Sequence, residues 1–571
     1  MEDSTADVAA ASPRFRRKSS TFIDAIHDMP EKVEMAPAQL YSTESGRLFH
    51  AGKIAIATVG LPARGKTHIS VALTRYLRWL GVKTRAFHLG DYRRATLPAG
   101  QEVPEDYFFL DASASTVLLR QKILRKCRED IYQFFERENG QVAIYDAVNP
   151  LAAGRRSLAN ELAKHDIQTL FIESACHDQR IIEDNVRRVK ISSPDEYAGW
   201  DAADAIKHYL ARINAKIPHF ETMEEKELDW IRVCPKQRLM LTLLTAIKMI
   251  NAGDKFEINN RNFGYLARRI VFYLMNLQIK QRRAYFVRAG LSASNTYMSD
   301  DGLSDIGIDY ARKMTETLIK HREQEHKQEI QNEEQEREQR SLVIWTSTKK
   351  RTIETASFLQ DAGYPVRQRS QMVALNPGVC ERMTERRIRE KYPEEILKHE
   401  ADPYHHRYPR AESYHDVAVR MEPVILELER EGNDLLIIAH ESVLRVLYGY
   451  LMACKATDIP KLSFPRDEII EIVPESYSNR SIRIPIPGLP NDTIPSSPED
   501  IRIPVPPSGT LTPINIGEAF SGNATPLLSG SGSPRRNASP NQDSDHRGEG
   551  SMLLVDRALR KSGYLPQNKE T

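Results

Sequence analysis

Short unbroken apolar runs alternate with longer amphipathic stretches through most of this chain. KIAIATV, QVAIYD, TLFIES and LDWIRV read as buried strands between residues 49 and 280, separated by patterns of helical period. A second alternation, AYFV, SLVIWTS and DLLIIAH, occupies 281–480. Strands spaced by helices predict a parallel sheet covered by helices, in each of two successive α/β domains. RNFGYLARRIVFYLMN (261–276) predicts a helix leading into the strand at 284. HREQEHKQEIQNEEQEREQR (321–340) is almost entirely charged or amide and reads as a solvated helix extension or an insertion. Residues 1–48 are polar without sustained period, and 481–571 are rich in Pro, Ser and Gly. Neither segment can bury enough apolar surface to offset its ordering entropy, so disorder is expected in both.

Bulk properties narrow the picture. A length of 571 residues exceeds one core. A net charge of +2 gives no general attraction to nucleic acid or to a membrane surface. The 5 scattered cysteines fit reduced thiols rather than a disulfide framework. No apolar run approaches the roughly 18 residues of a membrane span, and the N-terminus lacks a signal-peptide core. A cytoplasmic protein is expected.

The first strand runs into GLPARGKT, Gly60, Leu61, Pro62, Ala63, Arg64, Gly65, Lys66 and Thr67, and then into a helical pattern. This is the P-loop motif in its strand–loop–helix context. Its glycines let backbone N–H groups surround phosphate oxygens, and the helix start adds a field that favours anions. Lys66 is expected to reach the ATP phosphates, with Thr67 on Mg²⁺. Asp146, ending an otherwise apolar strand, is the carboxylate expected on the metal or near the acceptor hydroxyl. Arg93 and Arg94 after the second strand, Arg120 on a helix and Lys190 at a helix end suggest an anionic second substrate.

These motifs resemble one family. GLPARGKT, LTRYLRWLG, LGDYRR, ENGQVAIYDAVN, FIESAC, VKISSPD and VFYLMNL are similar to the kinase half of 6-phosphofructo-2-kinase/fructose-2,6-bisphosphatase. VIWTSTKKRTIETA, YPEEIL, RYPRAESYHD and IIAHESVLRVL are similar to its phosphatase half. The resemblance implies a P-loop kinase domain over 49–280 and a histidine-phosphatase-like domain over 281–480. It implies transfer of phosphate from ATP to O2 of fructose 6-phosphate, giving fructose 2,6-bisphosphate. It further implies Cys176 and Lys190 as catalytic-site residues beside Lys66 and Asp146. Asn185 to Lys190 would line the nucleotide, and Arg93, Arg120, Arg155, Lys190 and Arg212 would hold the sugar phosphate. A homodimer is also implied. Three departures point to a retuned acceptor site: Val148 replaces a threonine, Lys216 stands in place of a tyrosine, and the Arg155–Arg156 pair is shifted by one residue.

The second domain departs further. Where the family reads R-H-G-E, this chain has Arg288, Ala289, Gly290 and Leu291. Ala289 replaces the histidine that attacks phosphorus, and alanine has no lone pair to offer. ALNPGVC (374–380) lacks the family's acid glutamate. Arg288, Asn295, Arg351, Arg407 and His440 remain as the outline of a phosphate pocket, with Arg410 nearby. The expectation is a kinase without bisphosphatase activity. The alternative is a pseudoenzyme that binds ATP and sugar phosphate for regulation. In FRRKSST, Ser19 follows two arginines, a pattern open to a basophilic regulatory protein kinase.

Overall fold

The computed structural model describes residues 35–39, 53–97, 104–187, 202–224, 227, 245–259, 264–278, 282–292, 300–332, 339–475 and 478–489. The first sheet contains β1 (Lys53–Val59), β2 (Thr84–His88), β3 (Val142–Asp146), β4 (Ile167–Ala175), β5 (Thr245–Ile250) and β6 (Lys255–Asn259), in the order β2-β3-β1-β4-β5-β6. The first five strands run parallel, and β6 closes the edge antiparallel to β5. Its helices include α1 (Lys66–Trp79), α2 (Leu89–Thr96), α3 (Ala114–Glu136), α4 (Ala152–Lys164), α5 (Gln179–Val186), α6 (Ala202–Lys216) and α7 (Tyr265–Met275). β1 and β3 are apolar on both faces because both faces are covered: Ile54 to Val59 and Val142 to Asp146 are all buried.

The second sheet contains β7 (Ala284–Arg288), β8 (Leu342–Thr346), β9 (Val366–Gln368), β10 (Asp434–Ala439), β11 (Glu468–Pro474) and β12 (Asn479–Pro485), in the order β12-β11-β7-β10-β8-β9. Strands β7, β10, β8 and β9 are parallel, with β9 at one edge, while β11 and β12 form the antiparallel opposite edge. Helices α8 (Asp305–Asn332), α9 (Lys350–Thr355), α10 (Tyr414–Arg420), α11 (Glu422–Arg430) and α12 (Glu441–Leu451) flank this sheet. A reciprocal capping box between Ser413 and Asp416 starts α10.

Several expectations need correction. The boundary at 480 falls inside β12, whose pairing with β11 carries the domain to at least Pro485. The stretch 1–48 is not uniformly loose. Pro37 and Ala38 are buried, the Ala38 N–H donates to the Trp79 carbonyl at 2.9 Å, and Tyr404 donates to the Pro37 carbonyl at 2.8 Å. The alternation also missed the antiparallel edges, where β6 follows β5 and β12 follows β11 with no α-helix between to announce them. LDWIRV, expected as a strand, lies outside the described residues, as do Lys190, Asn295 and Ser19. Of the charged stretch 321–340, the part to Asn332 continues α8. Among the described residues, no helix is long and apolar enough to cross a membrane.

The two sheets share one continuous apolar cluster. Leu73, Tyr76, Trp79 and Tyr273 of the first domain join Val443, Leu447 and Tyr450 of the second. A buried ion pair lies within this contact, with Arg75 on α1 bonding Glu429 on α11 at 2.6 Å. The Tyr273 and Tyr450 hydroxyls also donate to Glu429, at 3.1 and 2.5 Å. Burial alone would raise the Glu429 pKa, but Arg75 and Arg282 outweigh it and hold the carboxyl well below its usual range. The pair is therefore charged on both sides, and its hydrogen bonds offset the desolvation of each ion.

Candidate active site

Both candidate sites lie at the C-terminal ends of parallel strands, where an open α/β sheet offers a crevice. In the first, β1 ends at Val59 and the chain turns through Gly60. Gly60 has φ 140, and a Cβ there would stand 2.7 Å from the Ser174 carbonyl, so only glycine fits. Gly65 enters α1 at φ 84 and Ala63 sits at φ 59, a left-handed conformation uncommon for alanine. Asn185 supports that turn by donating to the Ala63 carbonyl at 3.1 Å.

Lys66 is 8% exposed and donates to the Leu61 carbonyl at 2.6 Å. Burial pushes its pKa down to about 8, opposed by Asp146 and reinforced by Arg64 and Arg93. Asp146 is held from three sides. Thr67 donates to its Oδ2 at 2.9 Å, His88 Nδ1 lies 2.8 Å from the same oxygen, and Thr58 donates to Oδ1 at 3.1 Å. Burial raises the Asp146 pKa, but the His88 hydrogen bond and charge, then Lys66 and Thr67, bring it below the usual carboxylate range. The result is a fixed anion beside a hydroxyl and an ammonium. A carboxylate and a hydroxyl side by side are the hard oxygen donors that suit Mg²⁺.

The structure gathers only part of the expected basic set. Arg93 lies over Tyr107 and Phe108, 5.8 and 5.5 Å from the ring centres, and is close enough to Lys66 to depress it. Arg120 faces the same Tyr107. Arg212, half-buried, lies on α6, the helix that also carries Tyr209, a neighbour of Arg93. Arg155 must be withdrawn from this set. It is 1% exposed. It pairs with Glu227 through Nε at 2.8 Å and Nη2 at 2.6 Å, and Nη1 bonds the Asn149 and Glu221 carbonyls, both at 2.9 Å. Its donors are spent on the protein, so its work is structural. Cys176 sits in a small apolar cluster with Ile182, Val186 and Ile206. Burial pushes its thiol pKa up, away from a reactive thiolate.

At the second site, Arg288 ends β7 beside Ala439, the residue before His440. Ala289 is 1% exposed and packs in an apolar cluster with Val287, Tyr310 and Met314. Arg351 on α9 donates to His440 Nδ1. Arginine can only donate, so Nδ1 accepts, and a neutral ring carries its proton on Nε2. Burial pushes the His440 pKa down to about 3, helped by Arg351, Lys349, Arg288 and Arg466. Arg288 pairs with Glu441 at 3.0 Å. Arg407 is 57% exposed and bonds Asp416.

A 6-phosphofructo-2-kinase model matches residues 41–281, and a model of the histidine phosphatase superfamily (branch 1) matches 284–484. The chain is 40% identical over 477 residues to a Saccharomyces cerevisiae protein whose provisional name is 6-phosphofructo-2-kinase/fructose-2,6-bisphosphatase. That match covers 81% of this chain and 89% of the yeast protein. It is 36% identical over 427 residues to human 6-phosphofructo-2-kinase/fructose-2,6-bisphosphatase 1, covering 74% and 82% of the two chains. The chain belongs to the 6-phosphofructo-2-kinase/fructose-2,6-bisphosphatase family.

Within this family framework, sequence reading overlooked Thr58, His88, Tyr107, Lys349, Glu441 and Arg466. Signals existed for some of them. His88 ends the strand just before LGDYRR, and Glu441 directly follows His440. Tyr107 and Arg466 lie in loops and short turns without a periodic signature. Only the fold brings Arg466 to the Ala289 carbonyl, at 3.0 Å.

Proposed function

We propose that this chain is a 6-phosphofructo-2-kinase that makes fructose 2,6-bisphosphate and does not hydrolyse it. The observation that carries the reading is the Lys66–Thr67–Asp146 constellation, complete and ionised at the P-loop. The glycine-rich turn binds the ATP phosphates, and Lys66 neutralises the transferring group. Thr67 and Asp146 would hold Mg²⁺, which would supply positive charge to offset the charge developing on the transferring phosphate. The depressed pKa of Asp146 suits a fixed anion better than a general base, which works best near the operating pH. Arg93, Arg120 and Arg212 would bind the phosphate of fructose 6-phosphate. The departure at Val148 leaves the scaffold intact, because the Val148 backbone carbonyl still accepts from Gly60 N at 3.1 Å.

Loss of hydrolysis follows from two groups. Ala289 cannot form a phosphohistidine. His440 cannot replace it, because Arg351 occupies Nδ1 and the proton occupies Nε2. Removing a catalytic nucleophile costs on the order of 10⁶ in rate.

Incubation with MgATP and fructose 6-phosphate, followed by direct assay of fructose 2,6-bisphosphate, tests the reading. Product is expected from the parent and not from Lys66→Ala. A pseudoenzyme is the second reading, favoured by the withdrawal of Arg155 from the acceptor site. It would show ATP binding without product.

A further inference from the structure

Away from both candidate sites, the second domain gathers a histidine and two glutamates. His321 and Glu325 lie four residues apart on α8, so one helix face presents both. Glu471 comes from β11, where it pairs in register with Tyr285 of β7. The set stands near the N-terminal end of β7, whereas the Ala289 turn lies beyond the C-terminal end of that strand. Glu471 is 0% exposed, while His321 and Glu325 are 22% and 21% exposed.

The carboxylate oxygens are divided between two neighbours. Arg283 Nη1 donates to Oε1 of Glu471 at 2.7 Å and also to Oε1 of Glu325. The Oε2 atoms of Glu471 and Glu325 instead face His321 Nε2, at 3.2 and 3.5 Å. These three atoms lie within 4.8 Å of one another. A guanidinium that holds the far oxygen of each carboxylate fixes the direction of the near one, as outer-shell partners do around metals. The two Nε2–Oε2 separations also match the roughly 3.3–3.5 Å between neighbouring ligands of a tetrahedral ion with bonds of about 2.0–2.2 Å.

Charge makes the same demand. Two carboxylates against the Arg283 guanidinium leave one negative charge in a part-buried place. A bare Nε2 lone pair would be repelled by both Oε2 atoms, so a proton or a metal ion stands between them. The imidazole nitrogen distinguishes this set from a solvated acidic patch and from the all-oxygen surroundings that suit Mg²⁺ and Ca²⁺. Solvent reaches the set through a pocket lined by Arg283, Tyr285, Glu325 and His326, which gives an ion a way in.

We propose that His321 Nε2, Glu325 Oε2 and Glu471 Oε2 form a site for a divalent transition-metal ion of the Zn²⁺ type, completed by water, that pins α8 to the antiparallel edge of the second sheet.

The test is calorimetric titration of the chelator-stripped, full-length protein with Zn²⁺ in excess Mg²⁺. The Mg²⁺ keeps the oxygen donors of Thr67 and Asp146 occupied and competes poorly for imidazole. One Zn²⁺ per chain is expected to bind through His321, and the melting temperature should rise with it. His321→Ala and, separately, Glu325→Gln should each weaken that binding by at least about tenfold and remove the rise. The readout is the rise on adding zinc within each protein, so a lower starting stability of a variant does not affect it. His405→Ala, which alters a histidine outside the set, should bind as the parent does. Binding that survives both substitutions, or that is lost equally in His405→Ala, would overturn the site. So would a parent protein that takes up no zinc, which would leave a proton on His321 as the charge that balances the carboxylates.

Discussion

The two candidate sites occupy equivalent places in their sheets, yet they differ in where charge resides. At the P-loop, one carboxylate is fixed by Thr58, Thr67 and His88 and faced by Lys66. Charges of both signs are in place, and the anion is poised for a metal. At the Ala289 pocket, cations surround a histidine that is kept neutral. Attractive groups remain there, but Ala289 offers no nucleophile. Binding requires convergent donors alone, whereas catalysis requires an additional group whose protonation state is matched to its task. A site can lose the second requirement and retain the first.

The sharpest way to break this comparison is Asp146→Asn. It keeps the hydrogen-bonding shape and removes the anion, so kinase kcat should fall by about 10²–10⁴. Near-normal turnover in the assay for fructose 2,6-bisphosphate would show that the fixed carboxylate is not what distinguishes the two sites.

Next in size is the bond between the domains. Glu429→Ala strands Arg75 in a buried contact and should lower the unfolding free energy by about 3–5 kcal/mol in a urea titration. Glu429 has a depressed folded pKa, so its contribution is present above its unfolded pKa and is lost as pH falls through the folded one. The stability gap between parent and variant should therefore close only in strong acid.

Arg155 and Arg93 sharpen the contrast inside the first site. Arg155→Ala should destabilise the fold, because Glu227 is left buried and unpaired. Arg93→Ala should raise KM for fructose 6-phosphate about tenfold with little change in melting temperature. Exchange of these two outcomes would reverse the assignment of Arg155 as structural.

The smallest effect concerns Lys66. Its pKa of about 8 means that the ammonium is lost above pH 8 in the free protein. The Kd for an ATP analogue should rise between pH 8 and 9, by up to about tenfold. Lys66→Arg, which stays charged, should flatten that profile.

Much of this was legible from local patterns. The P-loop announces itself because a glycine turn between a strand and a helix has few other uses. Asp146 stood out as a charge ending an apolar run. The loss at Ala289 was visible because the motif around it survived. Other assignments depended on distant partners. Arg155 and Arg93 are equally basic in sequence. One is consumed by Glu227, 72 positions away, and the other lies near Lys66 of the P-loop. The burial of Pro37 and Ala38 could not be read from a polar N-terminus, because the surface that covers them belongs to α1 and to Tyr404.

Sequence alone determined the two α/β domains, the phosphate-binding turn and the absence of a nucleophile. These depend on residue type and on neighbours within a few positions. Tertiary structure decided which arginines are spent and which nitrogen of His440 carries the proton. Hydrogen-bond partnership and desolvation arise between segments far apart in the chain, so no local pattern encodes them.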